Sequence, residues 1–348
     1  MQQFMNTRET LVTEAVDGLV RASGGRLARL DGYPHIRVVV RADWDGGKVA
    51  LVSGGGSGHE PSHAGLVGQG MLTAAVCGDV FASPSVDAVL AGILAVTGPA
   101  GCLLIVKNYT GDRLNFGLAA ERARALGRKV AMVIVDDDVA LPDLPQARGV
   151  AGTLFVHKIA GAMAEAGADL EAITAAAQAV IRGAVSIGMS LDTCTVPGSP
   201  KEDRIGRGRA ELGLGIHGEA GVEQVDFTGA QLAMGMVAER LLPHVTEADQ
   251  VALLNNLGST TPLEMSVLAE ELARSPLGAR VKWIIGPAAL MTSLDMHGFS
   301  VSLLPATPEW IAALAAPVAP AVWPGLAAFG AVALRPLPDG LAPVLPAP

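Results

Sequence analysis

Val49-Ala50-Leu51-Val52-Ser53-Gly54-Gly55-Gly56-Ser57-Gly58-His59-Glu60-Pro61 joins a short apolar run to a glycine-rich turn that ends on an imidazole. Val49 to Val52 reads as a buried strand, because a run this short bounded by turn residues is too brief for a helix. Successive glycines at its end let backbone N–H groups converge on a ligand with no Cβ in the way. The pattern recurs twice. Cys102 to Val106 runs into Lys107-Asn108-Tyr109-Thr110-Gly111-Asp112, and Val130 to Val135 ends at Asp136-Asp137-Asp138. Alanine-rich helical stretches lie between and after these runs, over 114–126, 150–166 and 170–184. Leu11, Val12, Ala15, Val16, Leu19 and Val20 form an amphipathic helix ahead of them. Strand, polar turn and helix in repetition predict an α/β fold with a largely parallel sheet flanked by helices. Such sheets bind ligands at the carboxyl ends of their strands, where the polar turns lie.

The pattern changes near Ser186. A charged, glycine-containing loop from Gly198 to Arg209 leads to Gly213-Leu214-Gly215-Ile216-His217-Gly218-Glu219. Helices are expected over 231–242 and 262–274, and strands over 251–255, 281–285 and 299–304. These place an N-terminal α/β domain over 1–185 and a second α/β domain over 186–330, with a Pro-rich tail over 331–348. No internal repeat is visible. The uncharged stretch from Ile311 to Leu334 is long enough to span a bilayer. Pro317, Pro320 and Pro324 interrupt it, so a packed irregular region is expected there instead.

The 348 residues are half hydrophobic, 17% charged and rich in glycine (42), which suits a tightly turned, well-filled core. A net charge of −9 without any basic run argues against nucleic acid and anionic membranes as partners. The three cysteines, Cys77, Cys102 and Cys194, make no CxxC pair and read as reduced thiols of a cytoplasmic protein. The first residues carry neither a basic nor an apolar leader segment, so no signal peptide is expected.

Several residues have two readings each. The Gly54–Pro61 segment lacks the Gly-Lys-Ser/Thr of a Walker A loop, and His59 and Pro61 stand where a dinucleotide fingerprint needs its third glycine. It is a structural strand-to-helix turn or a ligand cradle, and an imidazole at its end favours the cradle. Gly213-x-Gly215-x-x-Gly218 matches the dinucleotide spacing but follows a charged loop and opens no helix. His217 is then a hydrogen-bonded loop residue, or a nucleophile or base reached between small neighbours, with Glu219 to orient its ring. Asp112 is an N-cap for the following helix or a general base at the sheet's carboxyl edge. Lys107 is a solvated strand end or a ligand contact. Ser83-Pro84-Ser85 is a turn that could lend a hydroxyl. Asp136, Asp137 and Asp138 point in different directions from one extended segment, which suits turn or cap chemistry better than a metal. No metal site is expected. His63, His157, His244 and His297 have no chemical context in the sequence and read as structural.

In order, these segments resemble the dihydroxyacetone-binding K subunit family of dihydroxyacetone kinases. The resemblance rests on Ser53 to Pro61, Gly78-Asp79-Val80-Phe81-Ala82-Ser83-Pro84, Val106 to Asp112 and Val135-Asp136-Asp137-Asp138-Val139. It continues through Arg148-Gly149-Val150-Ala151, Cys194-Thr195-Val196-Pro197, Gly213 to Glu219, Leu254-Asn255-Asn256-Leu257-Gly258 and Thr292-Ser293-Leu294-Asp295-Met296, to about Trp323. It implies a two-domain α/β fold and a homodimer. It also implies that His217 bonds to the ketone carbon as a hemiaminal, and that His59 and Asp112 assist acid–base chemistry on the hydroxyl to be phosphorylated. Gly56, Ser57, Gly58, Ser83 and Lys107 would complete the substrate site.

Reversible addition of neutral imidazole to a carbonyl gives a small triose the affinity its few contacts cannot, and it rejects glycerol. The family pattern runs out without an ATP-binding L region. Mg and ADP or ATP are therefore expected on a separate L-type subunit, which either exchanges free ATP or keeps ADP rephosphorylated by a phosphoenolpyruvate-driven relay. The stretch between His217 and the Val251 strand is read as shorter than in several family members. Two other functions fit much of the same kit: a kinase subunit for another short ketose such as a tetrulose, and a non-enzymatic ketone sensor. A sensor needs capture alone, so His59 and Asp112 beside His217 favour the kinase.

Overall fold

The computed structural model describes residues 3–141 and 146–338. The chain runs α1 (Leu11–Ala22), β1 (Leu27–Arg29), β2 (Val38–Arg41), β3 (Ala50–Ser57), β4 (Ala74–Val80), α2 (Val86–Val96), β5 (Cys102–Lys107), α3 (Thr110–Ala125), β6 (Val130–Val135), α4 (Thr153–Glu165) and α5 (Leu170–Gly183). It continues with β7 (Val185–Ser190), β8 (Arg209–Leu212), β9 (Glu223–Asp226), α6 (Ala230–Leu241), β10 (Gln250–Asn256), α7 (Pro262–Arg274), β11 (Val281–Ala288), β12 (Gly298–Pro305), α8 (Pro308–Ala315) and β13 (Leu326–Ala328).

Two sheets result. The first has the order β1-β2-β4-β3-β5-β6, and its last four strands are parallel. β1 and β2 extend it antiparallel, an addition that their short and partly exposed sequences did not signal. The second has the order β13-β11-β10-β12-β7-β8-β9, in which only β10 and β11 are parallel neighbours.

The apolar runs divide by parity between two cores, as side chains on a strand must. Leu51, Leu103, Ile105, Val133 and Val135 face one side of the first sheet, and Ala50, Val52, Cys102, Leu104 and Val106 face the other. On β10, Val251 and Leu253 likewise part from Ala252 and Leu254. α2 and α3 cover the outer face of the first sheet, and α6 and α7 the outer face of the second. α4 and α5 fill the space between the sheets, joined by α1 and α8. Phe155 and Ile159 of α4, at 0% and 1% exposure, sit in that shared layer. Each such side chain contributes about 1.5–3 kcal/mol through burial. The shared layer holds the carboxyl ends of the first sheet against loops of the second.

Three local expectations need correction. The glycines do not form a free turn: β3 runs on through Ser57 and every one of its residues is buried. Small residues let strand pairing continue where a Cβ would strike the neighbouring backbone. The region from Ile311 is less irregular than expected, since α8 reaches Ala315 before Pro317, and β13 pairs antiparallel with β11. α3 begins at Thr110, with Tyr109 as its extended N-cap residue, rather than at Leu114. Of the Pro-rich tail, residues 331–338 carry no regular element, and 339–348 lie outside the described residues. Among the described residues, no helix is long and apolar enough to cross a membrane.

Candidate active site

β5 and α3 deliver a lysine and a carboxylate to one point. Lys107 is the last residue of β5 and is fully buried; Asp112, in the first turn of α3, is 4% exposed. Both meet at Gly55: a Cβ there would lie 3.2 Å from Lys107 Nζ and 3.3 Å from Asp112 Oδ2. A side chain at 55 would push them apart, which accounts for a glycine in mid-strand. Asp112 is therefore not the N-cap of its helix. Its Oδ1 is buried with no partner among the protein atoms, as expected of a carboxylate held ready for a ligand. Burial pulls the Lys107 ammonium below the usual lysine range, and Asp112, Glu219 and Glu60 partly restore it.

His59 follows β3 and has no solvent exposure. Its Nδ1 lies 2.8 Å from the Thr292 carbonyl. A carbonyl can only accept, so Nδ1 carries the proton and Nε2 keeps a lone pair. That Nε2 is buried and has no protein partner. Burial, with Lys107 and His217 nearby, holds the imidazole well below its ordinary pKa, so it is neutral. Two backbone bonds clamp the segment: Thr292 N–H donates to the His59 carbonyl at 3.2 Å and Leu294 N–H to the Gly58 carbonyl at 2.8 Å. The second sheet's loop thus fixes the tautomer of a residue on the first.

His217 sits on the loop after β8. Its Nδ1 is 3.0 Å from Glu219 Oε1, and its backbone N–H donates to Glu219 Oε2 at 3.0 Å. Burial would raise the Glu219 pKa, but these bonds win and bring it down to about 2. The carboxylate thus engages Nδ1 and orients the ring, which leaves Nε2 as the nitrogen not held by Glu219. The glycine at 215 serves this arrangement: a Cβ there would fall 2.0 Å from Glu219 Oε2. Room beside His217 is used first by its own orienting carboxylate.

Arg148 braces the loop from below. It donates to the Gly213 carbonyl at 2.7 Å and pairs with buried Asp138 at 2.7 Å. Three rings surround His217 edge-on: Tyr109 at 4.5 Å, His59 at 4.8 Å and Phe81 at 5.5 Å between centroids.

The structure thus brings His217, His59, Asp112 and Lys107 together. It gives other expected residues narrower parts. The Ser57 hydroxyl donates to the Gly78 carbonyl at 2.8 Å, and the Gly58 N–H to Glu60 Oε2 at 2.8 Å, so neither group is free. Ser83 lies against Gly111 at the start of α3, with its hydroxyl buried and unpartnered. Asp137 accepts from the Val150 and Gly152 N–H groups ahead of α4, and Asp138 from Ala140 N–H and Arg148, which is turn and cap chemistry.

Sequence reasoning missed Phe81 and Tyr109. Phe81 holds φ +55, a conformation uncommon outside glycine, and its ring lies beside both imidazoles, 5.2 Å from His59 and 5.5 Å from His217 between centroids. Reasoning from sequence also set aside His63 and His157, which line up behind Lys107. His297 pairs with Glu264 away from the other imidazoles. Two clefts lie elsewhere. One of about 520 Å³ is lined by α1 and the 319–322 segment, and one of about 290 Å³ lies between α6 and α7. Both are mostly apolar, and neither touches His217.

Residues 17–322, which include every side chain of this cluster, match the Dak1 domain model. A dihydroxyacetone kinase of Citrobacter freundii is 51% identical over 326 residues, spanning 93% of this chain and 59% of that protein. The PTS-dependent dihydroxyacetone kinase 1, dihydroxyacetone-binding subunit DhaK, of Listeria innocua is 43% identical over 335 residues, spanning 93% of this chain and 100% of that subunit. The crystal structure of the C. freundii kinase in its native form superposes with a TM-score of 0.94 at 48% identity, covering 97% of this chain and 63% of that one. On that match, which spans most of its length, the chain belongs to the Dak1 domain family.

Proposed function

We propose that this chain is the ketose-binding subunit of a kinase that phosphorylates dihydroxyacetone, a phosphotransferase with an alcohol group as acceptor. The observation that carries the reading is the pinning of two imidazoles by Nδ1, His217 by Glu219 and His59 by Thr292, beside a buried lysine and carboxylate.

In this reading the His217 Nε2 lone pair forms a bond to the ketone carbon. The carbonyl π pair moves to oxygen, which takes up a proton, and Glu219 balances the charge left on the ring. The product is a hemiaminal that holds the triose by its second carbon. Lys107 donates to a substrate oxygen, while His59 Nε2 and Ser83 line the hydroxyl end. Asp112 takes the hydroxyl proton as that oxygen attacks phosphorus and the bond to the departing nucleotide breaks. Positioning and charge dominate such a transfer.

The donor nucleotide and its Mg belong, we propose, to a separate L-type subunit. The support is the full-length match to a protein named as a dihydroxyacetone-binding subunit, and the lack of a Walker A sequence. A homodimer in the cytoplasm is the expected setting. The test is a crystal soaked with dihydroxyacetone, followed by a kinase assay on a ketose panel with and without an L-type partner. Continuous density from the His217 ring to the ketone carbon, and turnover only with the partner, are expected. A clearly non-bonded ligand would sink the adduct, and turnover by the pure chain alone would sink the two-subunit arrangement.

A further inference from the structure

Lys107 brings its ammonium to the meeting point of Asp112 and Gly55, and its aim depends on how its three N–H groups are spent. One reaches His63 Nε2 at 3.3 Å. Another side faces Asp112 across Gly55. His63 Nδ1 in turn lies 3.0 Å from His157 Nε2. An ammonium only donates, so His63 Nε2 must be the acceptor. The single proton of a neutral His63 then sits on Nδ1 and is donated to His157 Nε2. His157 keeps its own proton on Nδ1, which has no partner among the protein atoms. The result is a one-way chain from Lys107 through His63 to His157, running into the layer between the sheets. All three side chains are essentially buried, at 0%, 5% and 0% exposure.

We propose that His63, with its tautomer fixed by Lys107 and its ring held by His157, is the positioning residue that aims the Lys107 ammonium at the ketose. This rests on the reading of Lys107 as a substrate contact. The chemistry of the acceptor matters. A carboxylate in place of His63 would form a full ion pair with Lys107 and compete with Asp112. A neutral imidazole takes one N–H and leaves the charge directed at Asp112 and the substrate oxygen. Both imidazoles suit that part: burial first, then Lys107, holds His63 well below its ordinary pKa and His157 down at about 3. The other ionisable groups acting on Lys107 are Asp112, Glu219, Glu60 and His59.

Calorimetry of dihydroxyacetone binding to the purified chain across pH tests this, with thermal unfolding measured alongside. His63→Leu should weaken binding by about ten- to a hundredfold, the weight of one hydrogen bond to a charged group. Losing an acceptor also disfavours the charged lysine, so the alkaline limb of the binding profile should move to lower pH. His63→Gln can accept from Lys107 and donate to His157, and should bind within a fewfold of the native chain. A folded His63→Leu protein with native affinity and an unmoved alkaline limb would overturn the proposal. Should His63→Leu fail to fold, His157→Leu against His157→Gln gives the same contrast, with equal native affinity in both as the refuting result. Lys107→Met separates the two levels. Native binding by it overturns the role of Lys107 and the proposal together. Weak binding by it beside a native-like His63→Leu overturns the positioning role alone.

Discussion

Replacing His157 with glutamine should flatten the acid side of this protein's stability profile. In the folded chain His157 is fully buried and stays neutral, its pKa lowered from 6.5 to about 3 by burial and by Lys107. The unfolded chain protonates the same side chain near its ordinary value. Below that value the unfolded state binds a proton that the folded state refuses, so stability is full above it and is lost as pH falls toward the folded pKa. The loss runs at about 1.4 kcal/mol per pH unit, so a step from about pH 7.5 to about pH 5 costs roughly 2 kcal/mol from this one residue.

His63 adds a loss of the same sign. Asp137 acts oppositely: burial outweighs its hydrogen bonds and raises its pKa to about 6, so the folded state protonates first and gains stability as pH falls through that value. Both effects are common to the native chain and His157→Gln, so they cancel in the difference. Glutamine keeps an acceptor for His63 Nδ1 and has no proton to gain. The assay is urea unfolding of both proteins at the two pH values, read as the difference of differences. About 2 kcal/mol less acid loss is expected in His157→Gln. Parallel pH dependences would refute the view that His157 is a neutral, buried end of the Lys107 chain.

Three other substitutions probe the site. Asp112→Asn should still bind dihydroxyacetone by calorimetry yet lose at least about a hundredfold in partner-dependent kcat, the usual size of general-base assistance; near-native turnover would reduce the carboxylate to a structural group. His217→Ala should abolish the adduct density in a soaked crystal and most ketose affinity, and retained tight binding would show that capture does not need the ring. Arg148→Met leaves Asp138 buried without its cation, a loss of about 3–5 kcal/mol in urea unfolding, and frees the loop that carries His217. A loss below about 1 kcal/mol would place Asp138 in a more solvated setting than its burial indicates.

Much of the fold was legible because strand and helix patterns are local. Runs such as Cys102–Lys107 alternate between two buried faces, and α7 carries its own signals: Thr261 and Glu264 form a capping box, with Pro262 at the first turn. β1 and β2 were not legible, since strands of three and four residues carry too little periodicity. In the site, His217, His59, Asp112 and Lys107 stood out because each follows an apolar run or sits among glycines. Phe81 and Tyr109 did not, because an aromatic ring in a loop has no spacing signal. His63 and His157 are 94 residues apart, and nothing local marks either as the other's partner.

The sequence alone determined the alternation of strands and helices, the residue types available for chemistry and the family. These follow from short-range periodicity and from ordered motifs read along the chain. Only the tertiary structure decided what those residues are. His59 is a lone-pair acceptor because a carbonyl 233 residues away in sequence claims its other nitrogen. Gly215 is a glycine because Glu219 folds back into the space of its missing Cβ. The Gly58 N–H is spent on Glu60 rather than on a ligand. Protonation, tautomer and aim are set by burial and by partners brought from distant elements, and no spacing within a single segment encodes them.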